Sequence, residues 1–282
     1  MRVKTSSFIT RISIKISACF FHNVRNIIAS VILLATTSLL VNCQIRIESD
    51  TNSNDRYFIV DGLLSRKRIV GSEATCTTTI RDLKTFENIR IDGCADMEFQ
   101  QSADGKTEVT VIVAENLADL AEITSEHSTL RVGYAEKYNK IGICNSRLKI
   151  IVSNPQLSCV LINGSGDIQL KGDVYSKELS LNINGSSDIN AHSLSCEELK
   201  VLINGSGDVT LAGKADNAIL IVNGSGDIDA EDLLCKKVRA SVTGSGDIDC
   251  YAAETLDANV TGSGEISYRG DAKVAGKNIK RK

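Results

Sequence analysis

Asn163-Gly164-Ser165-Gly166-Asp167 is a phrase that the chain goes on to repeat. It returns as Asn184-Gly185-Ser186-Ser187-Asp188, twice more unchanged (Asn204 to Asp208, Asn223 to Asp227), then as Thr243 to Asp247 and Thr261 to Glu265. The spacings are 21, 20, 19, 20 and 18 residues. A unit that short cannot close a core alone, so a period near twenty marks rungs that bury their apolar faces by stacking on one another.

The flanking residues say which kind of rung. One place before the Asn or Thr stand Ile162, Ile183, Ile203, Val222, Val242 and Val260; two places earlier stand Val160, Leu181, Val201, Leu220, Ala240 and Ala258. Polar residues such as Asn182, Lys200, Arg239 and Asp257 alternate with them, which is strand periodicity with one face inward. After the acid the apolar column resumes as Ile168, Ile189, Val209, Ile228, Ile248 and Ile266. Stacked identical strands are parallel, about 4.8 Å apart, and parallel connections are right-handed. The expected fold is all-β: a right-handed parallel β-helix over residues 156–270. The glycines put the phrase at a corner that needs positive φ. The Asn column should hydrogen-bond from rung to rung, weakening where Thr replaces Asn.

Ahead of the rungs, strands are expected over residues 75–80, 86–91, 96–100, 108–113, 130–133 and 148–153, with one helical crossover at 116–122. No twenty-residue period shows there, so residues 66–155 read as an irregular β portion covering the open end of the helix. The basic tail, 271–282, should blunt the other end.

The first 42 residues hold five basic side chains and no acid, and 27 basic against 35 acidic residues remain after them, a net charge of −8. That balance argues against nucleic acid as a partner. Residues 27–41 form an apolar run of fifteen, too short to span a membrane comfortably and suited to an export signal. It ends in Leu40-Val41-Asn42-Cys43, which resembles a bacterial lipobox with Asn42 in place of the usual small residue. Cys43 is the candidate lipidation site, giving a membrane lipid anchor, and an ordinary cleaved signal or an uncleaved anchor is the competing reading. Residues 44–65 read as a polar tether.

The order Phe86-Glu87-Asn88-Ile89, Ala114-Glu115-Asn116-Leu117, Ser128-Thr129-Leu130, the repeated Asn-Gly-Ser-Gly-Asp and Tyr268-Arg269-Gly270 resembles the head GIN domain family of auto-transporter adhesins, from about Arg68 to Val274. The resemblance implies a secreted or envelope-attached bacterial β-helix, commonly on a lipoprotein, with no cofactor and no catalytic residues to carry over; the expected location is the cell envelope, as an outer-membrane lipoprotein.

Three chemical features remain. Asp167, Asp188, Asp208, Asp227, Asp247 and Glu265 form a column whose neighbours repel by roughly 1 kcal/mol in water. Either the corner's own Gly-Ser-Gly amides satisfy each carboxylate, or the column binds a cation through oxygen ligands. Seven cysteines follow Cys43; small apolar fillers is one reading, and a Cys76 to Cys94 or Cys144 to Cys159 bridge is the other. Cys196 and Cys235 fall in a column with Ser176, Ala215 and Ala253. No catalytic set suggests itself, since His127 and His192 are isolated. The expected function is a non-enzymatic adhesin or envelope scaffold whose surface or envelope partner is a glycan or a protein, with self-association as a further class. The runner-up is a β-helix that binds or degrades polysaccharide.

Overall fold

The computed structural model describes residues 58–62, 65–81, 83–135, 142–276 and 279–282. The leader, the Leu40 to Cys43 box and most of the 44–65 stretch lie outside them. The chain divides into a unit ending at Ile69 and a second running from Val70 to Lys282. The first carries the strand Phe58–Gly62 and all but the last residue of the strand Ser65–Val70. Residues 44–65 are therefore not tether throughout, because Phe58-Ile59-Val60 supplies β-branched and aromatic residues where a strand can form.

The second unit is a parallel β-solenoid of about six turns, and the described chain is 73% strand and 3% helix. Its register is the one the repeats predict. Asn163 pairs with Asn184, Asn184 with Asn204, Asn204 with Asn223, Asn223 with Thr243 and Thr243 with Thr261. The inward columns are dry: Ile162, Ile183, Ile203, Val222 and Val242 are all at 0% exposure. Each rung thus contributes apolar area that water would otherwise wet, roughly 25 cal/mol per Å².

The spacing differences are absorbed on one side of each turn. Between the rungs at Thr243 and Thr261 the register slips twice, at Ala230/Leu234 and at Cys235/Lys237. Slips in the two preceding rungs fall at Ala191/Leu194 and Thr210/Ala212. The corner and its flanking strands never slip. One consequence is that Cys235 stacks on Ala252, not on Ala253 as uniform counting back from the corner suggests.

The portion before Asn163 is more regular than its sequence, and its stacking order differs from its chain order. Asn88–Cys94 and Asp96–Gln101 make a full rung beneath Cys159–Ser165 and Asp167–Lys171. Beneath that rung lie two segments that come later in the chain: Thr129–Tyr134 under Asn88–Ile91, and Lys149–Asn154 under Asp96–Gln101. The end is closed by reversing direction. Ala121–Glu126 runs antiparallel to Thr129–Tyr134, Glu108–Ala114 antiparallel to Lys149–Ser153, and Thr75–Ile80 antiparallel to Glu108–Ala114.

Two expectations need correcting. The helical segment is a 3-10 turn over Glu115–Leu120, and Ala121-Glu122 belong to the next strand, because Ile123 and Ser125 alternate inward beyond them. Residues 271–282 are not merely a tail: Lys273–Gly276 continues one side of the solenoid and Ile279–Arg281 another.

Candidate functional site

The corner is where the repeated residues converge, and it is built on close backbone contact. A Cβ placed on Gly205, whose φ is +148°, would lie 2.0 Å from the carbonyl oxygen of Gly185 one rung below. Any side chain there meets backbone that cannot move aside, in addition to the strain of the φ angle. The approach lets Ser206 N–H donate to the Gly185 carbonyl at 2.9 Å, and the same bond recurs at Ser186, Ser225, Ser245 and Ser263.

Two side-chain ladders flank this seam. In the first, each Asn donates through Nδ2 to the Oδ1 of the Asn below: Asn223 to Asn204 at 2.9 Å, Asn204 to Asn184 and Asn184 to Asn163 at 2.8 Å. Asn163 in turn donates to Asp92 at 2.7 Å. Aligned amides polarise one another, and here the run ends on a carboxylate. Arg90 donates to both Asp92 oxygens, at 3.0 and 2.9 Å, and Arg131 to one of them at 3.1 Å. Burial works against the ionised form of Asp92, but the bonds from Arg90 and Asn163 and the charges of Arg90 and Arg131 outweigh it, so its carboxyl sits below the ordinary range. The upper end of the ladder is Asn223, where Thr243 takes over.

The second ladder is the acid column, and its carboxylates do not turn to their own corner's amides as one sequence reading had it. Four of the six accept from the backbone N–H of the acid one rung above. Asp188 Oδ1 accepts from Asp208 at 2.9 Å, Asp208 from Asp227 at 2.9 Å, Asp227 from Asp247 and Asp247 from Glu265 at 2.7 Å. The reciprocal bond runs the other way along the backbone: Ile189 N–H donates to the Asp208 carbonyl, and Val209 to that of Asp227. The corner serine amides are already bonded to the rung below. Asp167 and Asp188 are instead paired within the regular strand ladder. That interruption coincides with Ser187, which stands where the other repeated corners have glycine, is fully buried, and leaves its hydroxyl without a partner. Among the described residues no three His, Cys, Asp or Glu side chains are placed to hold a metal ion.

Sequence reading missed the bottom member of both ladders. Asp92 pairs with Asn163, Gly93 (φ +111°) with Gly164, and Asp96 accepts from Asp167 N–H at 3.0 Å. Asp92-Gly93-Cys94-Ala95-Asp96 is thus a seventh corner, disguised by Cys for Ser and Ala for Gly.

Two residues past Asp247 and four past Asp227 stand two further carboxylates, Asp249 and Glu231. Asp249 accepts from Ser267 and lies 2.9 Å from the Lys282 ammonium, and Glu231 pairs with Arg269 at 2.7 Å and with Lys282. On the outer side of the Cys159–Ser165 stack, the half-buried Leu161, Leu202, Ile219 and Ile221 point outward, with Lys200 and Arg239 beside them. A shallow depression of about 780 Å³ borders this side, lined by Glu87, Lys177, Glu178, Leu179, Glu198 and Lys200. His127 and His192 are exposed. All seven cysteines after Cys43 are free thiols; burial pushes Cys235 and Cys250 up to about 12, so they behave as small apolar fillers.

A family described as Putative auto-transporter adhesin, head GIN domain, matches residues 85–272. Among solved structures, the chain is similar to a putative adhesin from Bacteroides fragilis at 29% identity and a TM-score of 0.67, covering 76% of this chain and 100% of that one. It is also similar to a putative lipid binding protein from Parabacteroides distasonis at 27% identity and a TM-score of 0.64, covering 76% and 97%. A putative adhesin from the same species follows at 25% identity and a TM-score of 0.58, covering 76% and 96%. No curated protein matches the chain.

Proposed function

We propose, from the premise that the chain belongs to the head GIN domain family of putative auto-transporter adhesins, that it is a non-enzymatic adhesin held at the bacterial envelope. In this reading Cys43 carries the lipid anchor, and the outer strand faces of the solenoid present the binding surface to a glycan or protein partner.

The observation that carries the reading is a division of labour within each rung. Inward columns and corner residues keep their chemical kind from rung to rung. Outward positions do not: Ser180, Lys200, Ile219, Arg239 and Asp257 succeed one another at one register position. Half-buried Leu202, Ile219 and Ile221 between two cations form a mixed apolar and charged surface of the sort that interfaces favour. Asp188, Asp208, Asp227 and Asp247 are engaged in backbone hydrogen bonds, which gives them a scaffolding role. The solenoid interior is filled by aliphatic columns, so a lipid ligand such as the Parabacteroides relative's description names would have to lie on an outer face.

The test compares cells making the wild-type chain, a Cys43→Ser variant or none, scored for attachment to host-derived surfaces and for fatty-acid labelling. Wild-type cells should attach and the chain should take label; Cys43→Ser should appear unlabelled in the soluble fraction. Attachment that ignores the chain would sink the adhesin reading, and an unlabelled wild type the anchor. Reducing sugar released from a glycan that the purified chain binds would instead support the polysaccharide-degrading alternative.

A further inference from the structure

The two ends of the solenoid finish in segments of opposite charge. Residues 108–126, which supply closing strands at one end, contain five carboxylates and no lysine or arginine. Residues 265–282, which finish the other end, contain six lysines and arginines against two carboxylates.

Both ends also finish the same stack of strands with an edge that has no partner among the described residues. At the acidic end the edge is Ala121–Glu126, joined to Thr129–Tyr134 on its inner side. At the basic end it is Lys273–Gly276, joined to Thr255–Ala258. Their side chains alternate in matching phase. Ile123 and Ser125 pair with inward-facing Val132 and Leu130, leaving Glu122, Thr124 and Glu126 exposed on the outer face. Val274 stacks on inward-facing Leu256 and yet is 41% exposed, while Lys273 stands on the outer face. Glu122, Glu126 and Lys273 enter no ion pair among the described residues.

We propose that the partner of each end is the opposite end of a second copy of this chain, so that the molecules stack head to tail. Because Ala121–Glu126 runs against the direction of the rungs, a copy stacked in the same orientation would set it antiparallel to Lys273–Gly276. That pairing puts Val274 over the Ile123 side of the sheet and Lys273 among the outer-face carboxylates, both favourable as cross-strand neighbours. Two like ends would instead oppose lysine to lysine or glutamate to glutamate, which disfavours a closed two-fold dimer. A contact between unlike surfaces does not close on itself, so it gives an open series of species rather than one dimer.

The experiment is sedimentation velocity of the full chain in mild detergent over a wide range of concentration. The wild type should give a ladder of species that lengthens with concentration. Lys273→Glu alone should sediment as monomer, and so should Glu122→Lys/Glu126→Lys. Mixing the two variants should restore the ladder, because each then meets a complementary end; a variant that had merely misfolded would not be rescued. A wild type that stays monomeric, a wild type that stops at a dimer, variants that associate as before, or a mixture that stays monomeric would each overturn the proposal.

Discussion

The backbone N–H of Asp227 lies 2.9 Å from Oδ1 of Asp208, one rung below, so the like-charged pair that looks repulsive in sequence is bridged by a hydrogen bond to the chain itself. A carboxylate accepting from a backbone N–H gains a charge-assisted bond. Asn keeps an oxygen in the same place and also removes one repelling charge. Asp208→Asn should therefore leave stability within about 1 kcal/mol of wild type, while Asp208→Ala should cost roughly 0.5–1.5 kcal/mol. Calcium and chelators should leave the melting temperature of each unmoved. A cation held by the column would add roughly 2.7 kcal/mol at about 100 times its dissociation constant, and calorimetry would show that as a clear rise lost in Asp208→Asn.

The amide ladder ends at Asn223 because Thr243 follows it. Thr243→Asn should extend the ladder by one bond and raise stability by roughly 0.5–1.5 kcal/mol, with Asn204→Ala lowering it by at least as much since two bonds go. Chemical denaturation of the two variants measures both. A Thr243→Asn protein no more stable than wild type would mean the ladder decorates the corner without supporting it.

Ser187 buries a hydroxyl with no partner at a place where the other repeated corners have glycine. An unsatisfied buried hydroxyl costs about 1–3 kcal/mol, and glycine's extra chain entropy gives back about 0.5–1 kcal/mol of that. Ser187→Gly should be net stabilising, and its melting temperature should rise.

Asp92 titrates below its ordinary range in the folded chain. A carboxylate whose folded pKa is depressed adds stability above its unfolded value, about 3.9, and that stability is lost as pH falls through the lower folded value. Asp92→Asn should therefore be less stable than wild type at neutral pH, and the gap should close on acidification below about pH 4. Parallel loss at every pH would assign Asp92 a purely steric part.

The repeat from Asn163 to Glu265 was readable because the corner tolerates so few residues: Gly205 meets a carbonyl at 2.0 Å from where its Cβ would be. Where the constraint relaxes, the signal fades. Gly93 has open space around its Cβ position, Cys94 is exposed, and Ala95 fills the place of a glycine, so the corner at Asp92 satisfies the geometry without spelling the phrase. Its distance hides it further, since 71 residues separate Asp92 from the Asn163 that stacks on it. That Thr129–Tyr134 slides beneath Asn88–Ile91 leaves no trace in periodicity, because one pairing has no second copy to compare with. The direction of the carboxylate bonds was equally hidden: spacing puts the acids in a column, and only the register shows that four of the six reach the amide above.

The register slips between rungs, confined to one side of each turn, make the length of this molecule a free variable. A duplicated or lost stretch of about twenty residues between Asn163 and Glu265 would shift the distance between the two ends by about 4.8 Å. Neither the antiparallel closure at Thr75–Ile80 nor the Lys273–Gly276 edge would need to change. Selection can thus set the length of the solenoid by counting rungs, independently of what its outer faces hold.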